Sequence, residues 1–426
     1  MAKTYDTYKD SGIAWIGEIP SEWVVCKMKN TIRFINGYAF DSNSFKAEGI
    51  YPVIRIGDII NEKISYDNTV FVNDNTGLEN FQIHDNDILI AMSGATTGKV
   101  GKVQSNHNGY INQRVGIIRC ANHSYVYYHF LMDGFIDYVN LSSIGTAQPN
   151  ISSNGILNFS FIKPSLSVQH SIASFLDTKC GEIDALISLQ EEMISELQAY
   201  KQSVITEAVT KGLNPHAKMK DSGVEWIGEI PEGWAVCSTK HLFNLYSGAT
   251  PKTDNDSFWD GNIPWITPAD FKTEDVYISK GRRNITQNGV DSCGTTIVPA
   301  NSVIFSKRAP IGLVVLNKEP LCTNQGCISC VPKETFSKYY YAMSVFTDSY
   351  ELYGAGTTFM EISATSFANF KLPNPSFEEQ QSIATYLDEK TSQIDTLIAL
   401  KQEKIQELKD YKKSIIYEYV TGKKKV

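Results

Sequence analysis

The chain has no excess of positive charge to announce a nucleic-acid partner: 39 Lys and Arg stand against 47 Asp and Glu, a formal net charge of −8. It has no run of 18 apolar residues, so no bilayer-spanning helix is expected. The opening Met-Ala-Lys-Thr-Tyr-Asp lacks the apolar stretch of a secretory signal. Those two absences make a cytoplasmic protein the expectation. Eight Cys in 426 residues, without a secretion signal, do not make a disulfide framework. Catalytic signatures are also missing. Gly94-Ala-Thr-Thr-Gly98-Lys99-Val100 has too few residues between its glycines for a phosphate loop, and Val where Ser or Thr must hold magnesium. It reads as a glycine turn between strands. No His-Glu-x-x-His occurs, and Asn214-Pro215-His216 and Asn374-Pro375-Ser376 both fail the Asn/Asp-Pro-Pro-aromatic pattern of amino-methyltransferases. A chain without active-site motifs is expected to bind rather than to catalyse.

What the chain does have is a copy of itself. Asp10-Ser11-Gly12-Ile13-Ala14-Trp15-Ile16-Gly17-Glu18-Ile19-Pro20 returns as Asp221-Ser222-Gly223-Val224-Glu225-Trp226-Ile227-Gly228-Glu229-Ile230-Pro231. The same offset joins Gln169-His170-Ser171-Ile172-Ala173 to Gln380-Gln381-Ser382-Ile383-Ala384. Between these blocks lie about 140 residues per copy that agree only sparsely, the mark of one frame around two different inserts. The segments follow: a strap at 1–23, an insert at 24–167, a helix at 168–213, a linker and second strap at 214–234, an insert at 235–375 and a last helix at 376–426. The inserts are electrically neutral, with 11 basic and 11 acidic side chains in 24–167 and 12 of each in 235–375. The acid excess belongs to 1–23, 168–213 and 214–234. A neutral domain grips DNA weakly without help, so a partner sharing the phosphate contacts would fit.

Each insert shows short β-type runs such as Asp87-Ile-Leu-Ile-Ala-Met92 and Asn301-Ser-Val-Ile-Phe305, separated by turn signals. One helix per insert is expected, over 125–138 and 337–352, giving an α+β domain with a twisted sheet. Cys322-x4-Cys327-x2-Cys330 tempts a metal reading, but the first copy has Val115 and Ile118 opposite Cys327 and Cys330, so these thiols are expected in the core. Ser376-Phe-Glu-Glu379 is a capping box that opens a helix. Beyond it, Ile394, Leu397, Ile398, Leu408 and Tyr411 keep three-four spacing, as do Ile183, Leu186, Ile187, Leu197 and Tyr200 in the first copy. Each stripe of about 30 residues would extend roughly 45 Å. The simplest partner for each helix is the other, antiparallel, with the inserts at opposite ends of a rod. The repeated carboxylates Asp177/Asp388 and Asp184/Asp395 are expected solvated or paired with Lys179/Lys390 rather than catalytic.

Pro164-Ser-Leu-Ser-Val-Gln169 and Pro375-Ser-Phe-Glu-Glu-Gln380, each followed by Ile-Ala-x-x-Leu-Asp, resemble the spacer-helix openings of the DNA-specificity subunits of type I restriction–modification systems. So do Gly145-Thr-Ala-Gln-Pro-Asn-Ile-Ser152, Gly356-Thr-Thr-Phe-Met-Glu-Ile-Ser363 and the Trp-Ile-Gly-Glu-Ile-Pro straps. The resemblance covers essentially the whole chain, twice. Ser167-Val168 replaces the usual acidic pair. It implies two target-recognition domains on double-stranded DNA, each gripping half of a split target, and two antiparallel helices that fix the spacer. It also implies two modification subunits using S-adenosylmethionine, two restriction/translocase subunits using ATP and magnesium, and no cofactor or metal in this chain itself. The helical stripe becomes a candidate partner-binding or inter-helix face. Since Arg and Lys suit guanine and Asn and Gln suit adenine, the candidate DNA residues in the first insert are Arg55, Lys99, Lys102, Asn112, Gln113, Arg114, Gln148 and Asn150. In the second they are Lys252, Thr267, Arg282, Arg283, Lys307, Arg308, Asn324 and Gln325. Asn-Gln occurs in both copies and so is a poor discriminator of half-sites, whereas Arg282-Arg283 and Lys307-Arg308 have no counterpart. The alternatives are a two-module non-DNA scaffold joined by a coiled coil, and a nuclease or methyltransferase with degenerate motifs. The repeated blocks are where partner contacts are expected, and the divergent blocks are where base contacts are expected.

Overall fold

The computed structural model describes residues 4–73, 77–104, 108–142, 149–271, 276–308, 310–340, 343, 346, 349–350, 354–355 and 361–426. They fall into two compact units, Met1–Glu191 with Gln402–Val426, and Glu192–Lys401. These units do not follow the linear segments. Two long helices, a central one (Leu166–Lys211) and a C-terminal one (Phe377–Val420), each contribute to both.

In the first unit a six-stranded sheet has the order Ile32–Asn36, Val115–Cys120, Ile88–Ala91, Val100–Lys102, Lys63–Ile64, Ile59–Ile60. A three-stranded sheet, Tyr110–Ile111, Tyr51–Ile54, Val70–Val72, stands beside it. The second unit repeats the plan with Phe243–Ser247, Cys327–Pro332, Val303–Ser306, Val314–Asn317, Tyr277–Ile278, and a small sheet of Arg283–Ile285, Trp259–Ile266, Cys322–Thr323. Each insert is closed at its base by pairing its first strand with its last: Val24–Lys27 with Ser160–Lys163, and Ala235–Ser238 with Lys371–Asn374. Gly94–Thr96 is the expected turn between strands, with Gly94 and Gly98 at φ +79° and +84°.

The three clustered cysteines are strand residues of the core. Cys327 and Cys330 lie an odd number of residues apart, so they face opposite sides of the sheet, Cys327 among Ile304, Val315 and Leu321 and Cys330 among Val303, Phe305 and Tyr350. Burial pushes the Cys322 thiol up to about 12 and raises Cys327 and Cys330 further. The helix expected over 125–138 is two helices, His123–Phe130 and Asp133–Ser142. The chain closes the first when the Leu131 amide donates to Tyr128 O, and Gly134 then sits where any Cβ would lie 2.3 Å from the Trp15 ring. This close packing of Trp15 from the strap, more than 100 residues away, is what local periodicity does not show. Of the helix expected over 337–352, Ser337–Tyr340 is observed, and much of the rest lies outside the described residues.

Inside each unit the two long helices run antiparallel. In the first, the Phe175 and Tyr419 rings meet, tilted, at 4.4 Å between centroids and Lys412 Nζ meets Asp184 at 2.8 Å; in the second, Lys201 Nζ meets Asp395 at 2.7 Å. The capping box forms: the Glu379 amide donates to Ser376 Oγ, and Ser376 N donates to the Glu379 carboxylate, both at 3.3 Å. No helix among the described residues is long and apolar enough to cross a membrane.

One buried histidine gives this fold a pH dependence. The Ile162 amide donates to His129 Nε2, so Nδ1 carries the proton and donates to Tyr125 O. Burial holds the imidazole at about 3, with the Tyr125 bond opposing only in part. Its ordinary value is 6.5. Between those values the unfolded chain binds the extra proton, so the stabilisation is complete above pH 6.5 and is lost as pH falls toward 3. At pH 5 the loss is roughly 2 kcal/mol. Urea midpoints at pH 7 and pH 5 should show it in the wild type and not in His129→Leu. Equal pH slopes in the two proteins would refute the assignment.

Candidate nucleic-acid interface

At one end of the sheet in each unit, backbone hydrogen bonds lay four segments side by side. In the first unit Asn112 N donates to Ile54 O, Met92 N to Arg114 O, and Ile151 N to Met92 O, each at 2.9 Å. In the second, Asn324 N donates to Ile266 O, Lys307 N to Gly326 O, and Ile362 N to Lys307 O, at 2.9–3.0 Å. The frame is the same, and the side chains it presents are not.

The repeated Asn-Gln pair builds the frame. Asn112 Oδ1 accepts from Gln113 N at 2.8 Å, and Asn324 Oδ1 accepts from Gly326 N at 2.9 Å, closing the turn into the next strand. Gly37 and Gly248 press against these turns; a Cβ there would lie 2.0 Å from Asn112 O and 2.1 Å from Asn324 O. Gln113 and Arg114 are exposed at the tip, and Gln325, also exposed, accepts a bond from Thr250 Oγ1.

The neighbouring segment opens with a cap in both units. Asp58 accepts from Arg55 N at 2.7 Å, and Asp270 from Thr267 N at 2.8 Å and from Thr267 Oγ1 at 2.7 Å. Both carboxylates are buried (side chains 7% and 4% exposed), and the sequence reading missed them, although an Asp follows three residues after Arg55 and Thr267 alike. Burial lifts Asp58 above its ordinary range despite its bonds from Arg55. Arg55 also donates through Nη2 to Asn68 O at 2.8 Å, and Arg282 through Nη2 to Ala269 O at 2.7 Å. Arg282 remains largely exposed, Arg55 less so.

The last two segments meet in an isolated antiparallel bridge, Ser93 with Asn150 in one unit and Arg308 with Glu361 in the other. Buried Ile151 and Ile362 follow, and then Ser152 and Ser363, whose hydroxyls cap the next helix by accepting from Gly155 N and Ser366 N. That is the physical content of the Ile-Ser motif in both copies. Lys307 Nζ and Arg308 Nε both bind the Glu361 carboxylate at 2.8 Å. Burial alone would raise Glu361, but these bonds outweigh it and hold the carboxyl below its ordinary range.

The other candidates spread out. Lys99 is exposed at the glycine turn, whose Gly94 amide and Thr97 hydroxyl bond to Pro149 O beside the bridge. Lys102 instead points to the helical side and donates to Ser124 Oγ at 2.7 Å. In the second unit the Arg283 guanidinium lies 3.7 Å from the centre of the Trp259 ring, and the Trp259 indole donates to the carbonyl of exposed Lys252. Gln148 lies outside the described residues, as do 145–147 and 356–360 of the two signature motifs.

The helical stripe divides. Ile183, Ile187 and Ile394 are buried, and Leu197, Ile398 and Leu408 are half-buried. Leu186, Tyr200, Leu397 and Tyr411 are exposed, joined by Leu189 and Leu400. The repeated carboxylates tie an insert to its helix (Asp177, Asp388) or one long helix to the other (Asp184, Asp395) instead of pairing with Lys179 and Lys390. Asp177 accepts from Tyr128 at 2.8 Å, Asp388 pairs with Lys338, and Lys412 bridges Asp184 and Glu62. Burial alone would lower Lys412, but its two carboxylates outweigh this and raise it.

The model of the type I restriction modification DNA specificity domain matches residues 20–199 and again 231–410. The chain is 41% identical to the type I restriction enzyme MjaIX specificity subunit of Methanocaldococcus jannaschii, over 42% of this chain and 41% of that one. It is 26% identical to the putative MjaX specificity subunit of the same organism over 96% of each chain. Its fold matches a chain from a study of complex assembly and conformational transition in the type I R-M system, at a TM-score of 0.72 and 18% identity, over 95% of this chain and 99% of that one. The HsdS subunit from Thermoanaerobacter tengcongensis matches at a TM-score of 0.51 and 17% identity, over 95% and 98%. With two matched domains that together span most of its length, the chain belongs to the type I restriction–modification DNA specificity family.

Proposed function

We infer that this chain is the non-catalytic specificity subunit of a type I restriction–modification complex, and that each unit reads one half of a bipartite, asymmetric DNA target. The observation that carries the reading is the four-segment rim: one repeated backbone frame presents Arg55, Arg114 and Asn150 in one unit and Thr267, Arg308 and Glu361 in the other, with Ser93 and Gly326 buried within it. Two unlike faces on one frame suit two unlike half-sites. A non-DNA scaffold has no need of base-sized polar groups gathered at one sheet end.

The exposed helical side chains supply the second half of the proposal. Leu186, Leu189 and Tyr411 in one unit, and Leu397, Leu400 and Tyr200 in the other, are each about half exposed at repeated positions. Two equivalent apolar faces fit two modification subunits, which would carry S-adenosylmethionine, with two restriction/translocase subunits joining to use ATP and magnesium. The neutral inserts agree with a grip on DNA completed by such partners. Sequencing of methylated adenine in cells with and without this chain tests the proposal. A split motif that vanishes with the chain is the expected result. An unchanged methylation pattern, with no duplex binding by the chain and its partners, would favour the scaffold.

A further inference from the structure

The Arg308–Glu361 bridge is the place where the shared frame carries the sharpest chemical difference. Its counterpart, Ser93–Asn150, is uncharged. Lys307 and Arg308 share Glu361, yet they are not equivalent. The Lys307 side chain is 13% exposed and that of Arg308 43%. Lys307 is therefore an internal counter-charge, and Arg308 is the group that faces outward. Its Nε bond to Glu361 Oε2, at 2.8 Å, anchors the guanidinium at its inner nitrogen. The outer pair of nitrogens then forms a rigid fork, which matches O6 and N7 of guanine and not a single acceptor.

A carboxylate at this point is a poor companion for a phosphate contact, because it repels the backbone it would be helping to hold. It is a good companion for a base contact, where the gain comes from presenting the fork in one orientation. Burial of Ile362 next to it and the Ser363 cap hold Glu361 on a fixed backbone.

We propose that Arg308 reads a guanine in the half-site of the second unit, with Glu361 as the positioning residue that sets the angle of its fork. The proposal rests on the DNA-specificity reading above. It is tested with the full chain assembled with its modification subunits and selected against a duplex library of random sequence. Arg308→Ala should lower the preference for guanine at one position of one half-site by about 5- to 150-fold and leave the other half-site unchanged. Glu361→Gln should blunt the same preference while binding to random duplex tightens, its salt slope growing steeper by up to about one unit as a repulsive charge is removed. A uniform loss of affinity in Arg308→Ala with the motif intact would make Arg308 a phosphate contact and overturn the proposal. So would a Glu361→Gln protein with the wild-type motif and a lower melting temperature, since Glu361 would then be structural only. If the wild-type complex selects no motif at all, the specificity reading itself fails, before any variant is compared.

Discussion

Removing seven residues, 192–198, from the central helix alone should cost the chain roughly 3–6 kcal/mol, and removing 397–403 from the C-terminal helix as well should restore most of it. The reason is register. Asp184 meets Lys412 in one unit and Lys201 meets Asp395 in the other, so the stretch of central helix between Asp184 and Lys201 equals the stretch of C-terminal helix between Asp395 and Lys412. Seven residues are about 10 Å of helix and close to two full turns, so the deletion keeps each face but slides one helix against the other. One unit must then surrender its pairing. At least two buried side chains on the order of Ile183 and Ile187 would be exposed, each worth about 1.5–3 kcal/mol. The matched deletion removes Met193 and Lys401 together, which are themselves in contact at 3.4 Å, and restores equal lengths. Under the proposed reading, the duplex motif that the double deletion selects by binding, rather than by methylation since Leu397 and Leu400 go with the segment, should also lose about three base pairs of its spacer, at 3.4 Å each. Stability equal in the single and double deletions would remove the register argument, and an unchanged spacer in the double deletion would remove the ruler.

The repeat made the frame legible, and it did so for reasons the structure supplies. Asp10 and Asp221 each accept from the amide of the second glycine-turn residue, Gly12 or Gly223, at 2.9 Å, and Gly17 and Gly228 hold φ +67° and +68°. The capping box at Ser376 was written in four residues, and the long helices in their spacing. Alignment of the copies, which sets Val115 and Ile118 opposite Cys327 and Cys330, already places both thiols in the core. The site was less legible. Asn112 and Asn324 carry the right amide for adenine, yet their oxygens close a turn. Lys102 has the right charge but turns toward Ser124. Glu361 belongs to the Gly356–Ser363 motif, but nothing local marks it as the partner of Lys307 and Arg308, which lie 54 and 53 residues away, and a contact at that separation leaves no periodic trace in the sequence. The sequence leaves the repeated carboxylates solvated or paired with Lys179 and Lys390 on their own helix; Asp177, Asp388 and Asp395 are indeed exposed, and only the partners differ. They pair instead across elements, with Tyr128, Lys338, Lys201 and Lys412.

The straps change the meaning of sequence identity between the copies, and Trp23→Ala and Trp234→Ala measure it. Each should cost about 3–5 kcal/mol. Both indoles are 2% exposed, as a core residue is and a docking residue is not. Each seals the end of a long helix. Gly422, at φ +75°, ends the C-terminal helix against Pro20 and Trp23; Gly212, at φ +73°, ends the central helix against Pro231 and Trp234. A glycine is required at each, because the left-handed stop disfavours a Cβ and the indole occupies the space one would need. Tyr8 Oη donates to Gly422 O at 3.2 Å, and Trp234 Nε1 donates to Glu379 at 3.1 Å. The two variants should therefore fail locally. In Trp23→Ala, amide protection should fall over Tyr417–Gly422 and the first strap, while the end of the central helix at Gly212 stays protected; Trp234→Ala should show the reverse. Urea midpoints with hydrogen exchange would read both. A cost below about 1 kcal/mol, the range of ordinary surface substitutions, would return the straps to the partner-contact role that their identity first suggested. A cost near the expected value assigns that identity to the interior and leaves Leu186, Leu189, Tyr200, Leu397, Leu400 and Tyr411 as the repeated residues with a surface still to cover.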